Sequence, residues 1–414
     1  MTKINDLSTT LQILFTNTAN ELAKKTGLIK RQRKLTGAAF AQALILGGLA
    51  KPETTRKEQQ HNLSCAGVQM SEQGLEQRFT QSAITFLRAL LEAVLTVLVI
   101  RSDAIALLPQ FTGIYLTDCS RFTWGALGFK LGVRWNMQSG QLQIEIMDLS
   151  RNDQKTQVVE APMPQGALHL GDLGFFKLKR FAGWNAQGIQ WLSRFKVGTR
   201  VFTPDGQPID VATWLATCTE AVCIPIIMGI QTPVSCFLVA APLPEDAQAK
   251  RQARLKEEAR LDQRPISKQK QALAAFTIYV TNIEGLSFPQ AHTLARMRWQ
   301  IELLFKLWKS HICVLQSRSA DPIRQQCEGY AKLIGAIVQH WVLLVSDWSF
   351  IETSALDALR FVRQHTNILI RAFRQPNLFT VFFDFVRDDL AHALPPPKRG
   401  KDPTARQLWA HLFP

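Results

Sequence analysis

Apolar side chains fall into three successive patterns along the chain. Through residues 1–105 they recur every three or four positions, the period of an amphipathic helix, over 11–28, onward from Thr36, from Ser71 and from Ser82. Thr36 and Ser71 each stand where an N-cap is needed. From residue 111 the period shortens. Runs rich in β-branched residues at 111–118, 130–137 and 141–149 read as strands, the last two divided by Gln138-Ser139-Gly140 into a hairpin. Further strands are expected at 168–172, 190–196, 222–228, 234–240 and 276–282. The helical period returns over 296–309 and 331–346, and the remainder also reads as helical, with a flexible Pro-Pro-Pro-Lys-Arg-Gly stretch at 395–400. Helices, then strands interleaved with helices, then helices again predict an α/β protein, and 414 residues suggest two to four domains.

Charge narrows the partners. With 48 Lys+Arg against 33 Asp+Glu the chain carries a formal +15, which points to a polyanion because neutralised phosphates release counterions. The uncharged stretch 221–244 is long enough to span a bilayer, but Pro225, Pro233, Pro242 and Pro244 and the polar Gln231-Thr232 pair favour two buried strands instead. The N-terminal residues lack the apolar run of a signal peptide, so no membrane association and a cytoplasmic location are expected. Seven cysteines without a C-x-x-C pair read as free thiols and argue against zinc. No phosphate-cradling Gly-rich loop of the ATP-binding kind is present.

Chemistry concentrates in the helix expected at 296–309. Arg298, Glu302 and Lys309, four and eleven positions apart, fall within about 40° of one another around its axis, while Ile301, Leu304, Leu307 and Trp308 occupy the other side. Alone, such a stripe reads first as an ordinary surface ion-pair face. Two strands upstream end on acids: Asp118 after 111–117, and Asp172, flanked by Gly171 and Gly174, which permit close backbone approach. Each could instead open a turn. His169, on the same strand face as Gly171, reads as a packing residue, and Asp148 as a solvated turn charge.

The wording Arg298-x3-Glu302-x6-Lys309, with Trp-x-Ile-Glu-x-x-Phe-Lys between, resembles the Tyr-x2-Arg-x3-Glu-x6-Lys signature of bacterial insertion-sequence transposases of the DDE type, IS-four family. Ala295 stands where the signature has Tyr. The resemblance implies a ribonuclease-H-like catalytic core (106–200 and 276–345) split by a β-rich insertion that ends in a DNA-contacting segment (201–275). It also implies a helical DNA-binding domain (1–105) and a helical C-terminal region (346–414). It makes Asp118, Asp172 and Glu302 the catalytic and metal-binding carboxylates for two Mg²⁺ or Mn²⁺ ions, and Arg298 and Lys309 phosphate contacts. Arg194, Lys196, Lys30, Arg31, Arg33 and Lys34 are further candidates for DNA contact. The implied partners are double-stranded DNA, as element ends and target, and a second copy of the chain in the synaptic complex. A metal-dependent nuclease or resolvase on the same fold, or a catalytically dead DNA-binding regulator, remains the alternative. The charged, helix-prone stretch 245–262 reads by itself as a solvated helix.

Overall fold

The computed structural model describes residues 4–31, 34–97, 99, 108–124, 127–149, 157–346, 348 and 354–393. Ten strands make one sheet: β1 (Ile114–Trp124), β2 (Leu127–Asn136), β3 (Leu142–Asp148), β4 (Leu168–Gly171), β5 (Gln190–Arg194), β6 (Val201–Phe202), β7 (Pro208–Ile209), β8 (Val222–Met228), β9 (Val234–Pro242) and β10 (Phe276–Thr281). Their spatial order is β3-β2-β1-β4-β5-β10-β9-β8-β6-β7. The first three run antiparallel as a meander, β4 lies parallel to β1, and β5 lies parallel to β4 after a crossover through helix Leu178–Ala186. Strand β10 is antiparallel to both β5 and β9, so the strands of the stretch 201–275 continue the same sheet instead of forming a separate layer. The architecture is a central mixed sheet with helical regions at both ends of the chain.

Two departures from expectation concern the site. Strand β1 does not end at Asp118 but runs on to Trp124, because β2 stays paired with it from Tyr115 to Trp124. The helix expected at 296–309 is one stretch of αR backbone with a divided hydrogen-bond ladder: Phe288–Met297, Trp299–Lys306 and a π-turn at Leu307–His311. It begins earlier than its charges suggest, at a capping box in which Ser287 and Gln290 satisfy each other's backbone N–H groups.

The N-terminal helices share one core with the rest. Thr36 Oγ1 accepts from Ala39 N at 3.0 Å and opens helix Gly37–Ala50, of whose 14 residues 13 are buried, against helices Pro322–Val345 and Ala355–Ala372. A Cβ at Gly37 would stand 2.4 Å from the carbonyl oxygen of Ala19, so only glycine lets the two helices approach there. The helical rhythm read from the sequence is present, but this helix is enclosed and presents no face to a DNA groove. Buried Arg324 fastens the same junction: it donates to Glu328 at 2.9 Å, to Gln59 at 2.9 Å and to Glu76. One apolar cluster therefore extends from Leu7 to Leu390, and a second, built on Phe181, Trp184 and Trp191, underlies helix Leu178–Ala186 and β8–β9. Helix Glu245–Asp262 has no buried residue and carries five basic and five acidic side chains, a solvated and charge-balanced element. No helix among the described residues is long and apolar enough to cross a membrane. The 395–400 stretch lies outside the described residues.

Residues 1–105 expressed alone should lack a cooperative thermal transition, because helix Gly37–Ala50 would lose helices Pro322–Val345 and Ala355–Ala372, two of its main packing partners. A sharp calorimetric transition in that fragment would show that the shared core is not required. A second expectation concerns pH. Burial pushes His169 down to about 3 and His340 down to about 4, and the carbonyl of Gly140, accepting from His340 Nε2 at 2.7 Å, opposes the shift at His340 only in part. Both are neutral when folded and take a proton near 6.5 when unfolded, so their contribution is complete above about 6.5 and is lost as pH falls toward 4. In the unfolding free energy obtained from urea melts, each histidine should contribute a loss of at most about 1.4 kcal/mol per pH unit below pH 6.5, which the raised Asp118 opposes in part, and His340→Gln should remove half of the histidine component.

Candidate active site

The parallel pairing of β1 with β4 brings two acids together. The register runs from Ile114↔Leu168 to Thr117↔Gly171, where β4 stops, and the next residue on each strand is an aspartate. Adjacent strands lie about 4.8 Å apart, so Asp118 and Asp172 leave the ladder side by side. Asp118 sits where its neighbour ends, not where its own strand ends. The Asp118 carboxylate accepts from Cys119 N at 2.8 Å, and Asp172 caps the short turn Leu173–Phe175 by accepting from Gly174 N at 2.7 Å. A Cβ at Gly174 would come within 2.8 Å of Asp172 Oδ1, which is the specific reason for glycine at that position.

The divided helix lies against β1 and supplies the third acid. Asp118, Ser120 and Phe122 share one strand face by the period of two, and the helix addresses them in turn. Arg298 Nη1 stands 3.6 Å from Asp118 Oδ2, and its other terminal nitrogen donates to Glu302 Oε1 one turn later. Lys309, within the π-turn, donates to Ser120 Oγ at 2.7 Å and lies 4.9 Å over the Phe122 ring. Such wide turns often mark functional positions. Here the turn carries the residue that bridges from helix to strand. Behind the pair, His169 is buried, with Nε2 3.0 Å from Thr117 Oγ1 and its ring 4.4 Å from that of Trp184, so it packs as expected.

The electrostatics tie the three acids into one site. Burial pushes the Asp118 carboxyl up to about 6, Asp172 and Glu302 add to the shift, and Arg298 and the Cys119 N–H oppose it. Burial lowers Lys309, against the pull of Asp118. The charge of Asp118 is thus costly unless a cation faces it, and in this structure that cation is the Arg298 guanidinium. Among the described residues no three His, Cys, Asp or Glu side chains form a ready metal cluster. Arg298 joining Asp118 to Glu302, and Asp172 turned to its own cap, account for this.

Residues 128–337, slightly more than half of the 414-residue chain, match the family described as Transposase DDE domain. The chain belongs to the DDE transposases. Its relatives extend over most of its length. The transposase for insertion sequence element IS231F of Bacillus thuringiensis subsp. israelensis is 25% identical over 76% of this chain and 74% of its own. That for IS231D of Bacillus thuringiensis subsp. finitimus is 24% identical over 89% and 86%, and that for IS1151 of Clostridium perfringens is 21% identical over 80% and 78%. The resemblance to the IS-four branch is borne out.

As a DDE transposase the chain is an enzyme that binds DNA, its family generally depends on divalent metal, and the domain implies a ribonuclease-H-like core. Asp172 and Glu302 lie within the matched residues; Asp118 precedes them by ten positions, so its place rests on strand geometry. Of the candidate DNA contacts, Arg298 and Lys309 join the acids. Arg194, exposed at the end of β5, lies on the adjoining cleft, and exposed Lys196 sits 6.0 Å from the Phe176 ring. Lys30, Arg31 and Lys34 are exposed on the loop before helix Gly37–Ala50, away from the acids in sequence and in packing, and Arg33 lies outside the described residues. Sequence reading missed Ser120, although its spacing of two from Asp118 marks the shared face.

Gly174→Ala should leave the thermal midpoint nearly unchanged, since only a side-chain end must move, and should cut DNA cleavage by about a hundredfold by displacing the Asp172 carboxylate. Circular dichroism melting and single-turnover cleavage decide it. Unimpaired cleavage would show that the capped position of Asp172 is irrelevant to the reaction.

Proposed function

We propose that Asp118, Asp172 and Glu302 are the catalytic carboxylates of a transposase that binds the terminal inverted repeats of an insertion sequence. In this reading it cleaves there and joins the freed strand ends to target DNA by a cut-and-paste route, in the bacterial cytoplasm and as a homodimer in the synaptic complex. The observation that carries the reading is the junction of β1 and β4, which sets two aspartates side by side under a helix bearing a glutamate and two cations. Strands β1–β5 with β10 serve as the ribonuclease-H-like core and β6–β9 as the β-rich insertion. The order β3-β2-β1-β4-β5, in which only β2 runs opposite to β1, supports that division.

The donor set fits hard divalent cations: three carboxylates, one of them raised by burial and by the other two, offset most of the charge of two Mg²⁺ or Mn²⁺ ions. Bound there, such ions supply Lewis-acid stabilisation of the attacking and leaving oxygens of a phosphodiester. The chain's own groups do the rest. Asp118 and Asp172 are held by backbone N–H groups at fixed positions, and Glu302 stands half-exposed on the open side. Arg298 and Lys309 offer cations to DNA phosphates at the same place, so a phosphate drawing Arg298 aside frees Asp118 and Glu302 together. The exposed bases Lys30, Arg31 and Lys34 suit contact with the DNA backbone.

Asp118→Asn, Asp172→Asn and Glu302→Gln should each abolish Mg²⁺-dependent nicking of a duplex carrying the inverted repeat that flanks the gene, while gel-shift affinity for the same duplex persists. Full cleavage by any one of the three would overturn the assignment of that acid.

A further inference from the structure

From Asp118 onward, every second residue of β1 meets the divided helix or the chain just beyond it. Asp118 faces Arg298, and the Ser120 hydroxyl accepts from Lys309 Nζ at 2.7 Å. The Phe122 ring lies 6.3 Å from that of Phe305, and Trp124 Nε1 donates to the Val314 carbonyl at 2.9 Å. The part of β1 beyond Asp118 therefore has a task of its own. Pairing with β2 holds it as strand, with Ser120 opposite Leu131 and Phe122 opposite Phe129. Ser120 thus stands on a rigid backbone, about 7 Å along the strand from Asp118.

Among these contacts, that of Lys309 differs in kind. Among the described residues no carboxylate forms an ion pair with it, and its ammonium is placed by the Ser120 hydroxyl and by the Phe122 ring, whose centroid is 4.9 Å away. A lysine on its flexible stem samples many rotamers, so fixing the charge needs such partners. A straight helix would keep Lys309 on the row of Glu302, within about 20° of it. The wide turn at Leu307–His311 alters that phase, and there the ammonium meets β1. An ammonium has three donors, so the bond to Ser120 leaves the others for a phosphate.

We infer that Ser120 is a positioning residue for DNA cleavage: its hydroxyl, with the Phe122 ring, pins the Lys309 ammonium at a fixed distance from Asp118. The cation then acts on the scissile phosphodiester and is more than a counter-charge for DNA. Serine suits the place. An acid there would pair with Lys309 and compete with phosphate for it, and an apolar side chain would offer no acceptor. The inference rests on the reading of Asp118, Asp172 and Glu302 as the cleavage site and of Lys309 as a phosphate contact. Ser120→Ala leaves every charge in the protein, so it separates placing the cation from possessing it.

The test uses the full chain and the inverted-repeat duplex. Ser120→Ala should keep the melting midpoint and the metal-free DNA affinity with its salt slope, and should cleave about tenfold more slowly in single turnover at saturating protein with Mg²⁺. Ser120→Thr, which keeps the hydroxyl and suits a strand, should recover most of that loss. Lys309→Ala should cleave more slowly with a salt slope shallower by about 0.9, and adding Ser120→Ala to it should change nothing further. Without DNA, acetic anhydride should acylate Lys309 several-fold faster in Ser120→Ala than in the unaltered protein, read by peptide mass spectrometry. The inference fails if Ser120→Ala cleaves like the unaltered protein, slows cleavage equally in the Lys309→Ala background, or leaves acylation of Lys309 unchanged. If Asp118→Asn cleaves normally, it is the carboxylate reading that fails.

Discussion

The parallel ladder between β1 and β4 is the constraint on which the site depends. It is only four residue pairs long, and it stops at Thr117↔Gly171. That stop hands two chain segments, far apart in sequence, to the same point in space with an acid on each. Its position is reinforced from behind by the contact of His169 with Thr117 and by the Trp184 ring, so the pairing that sets the register is also packed against the second apolar cluster. A one-residue slip would turn one of the two acids to the opposite face.

The helix that completes the site is held at both ends by chemistry unrelated to its charges. Ser287 and Gln290 fix its start, and beyond its π-turn Arg363 donates to the His311 carbonyl while Lys332 donates to the carbonyl oxygens of Cys313 and Gln316. Helices Pro322–Val345 and Ala355–Ala372, which supply those two cations, also cover helix Gly37–Ala50. The terminal regions therefore act as the back wall that presses the helix onto β1.

Much of this was legible in the sequence. Strands β8 and β9 begin where expected because their β-branched runs are bounded by an unambiguous turn, and the spacing of Arg298, Glu302 and Lys309 survives in the folded chain. The full length of β1 was not legible: Cys119-Ser-Arg-Phe-Thr-Trp alternates too weakly to read as strand and is held by its pairing with β2. The resemblance implied a helical DNA-binding domain over 1–105 and the local rhythm of helices agreed with it, but periodicity cannot say what covers an apolar helix. In Gly37–Ala50 the answer comes from residues about 300 positions away.

The place of β10 has a consequence for shortened copies of the gene. Because β10 is hydrogen-bonded on one side to β5 and on the other to β9, the 201–275 stretch is not an appendage that can be trimmed from an intact remainder. A chain lacking it would expose a row of unpaired amides along an interior strand and invite edge-to-edge association between molecules. Internal deletion of this element should therefore yield aggregating protein and not a smaller enzyme, which makes the intactness of the sheet a condition for inheriting any activity at all.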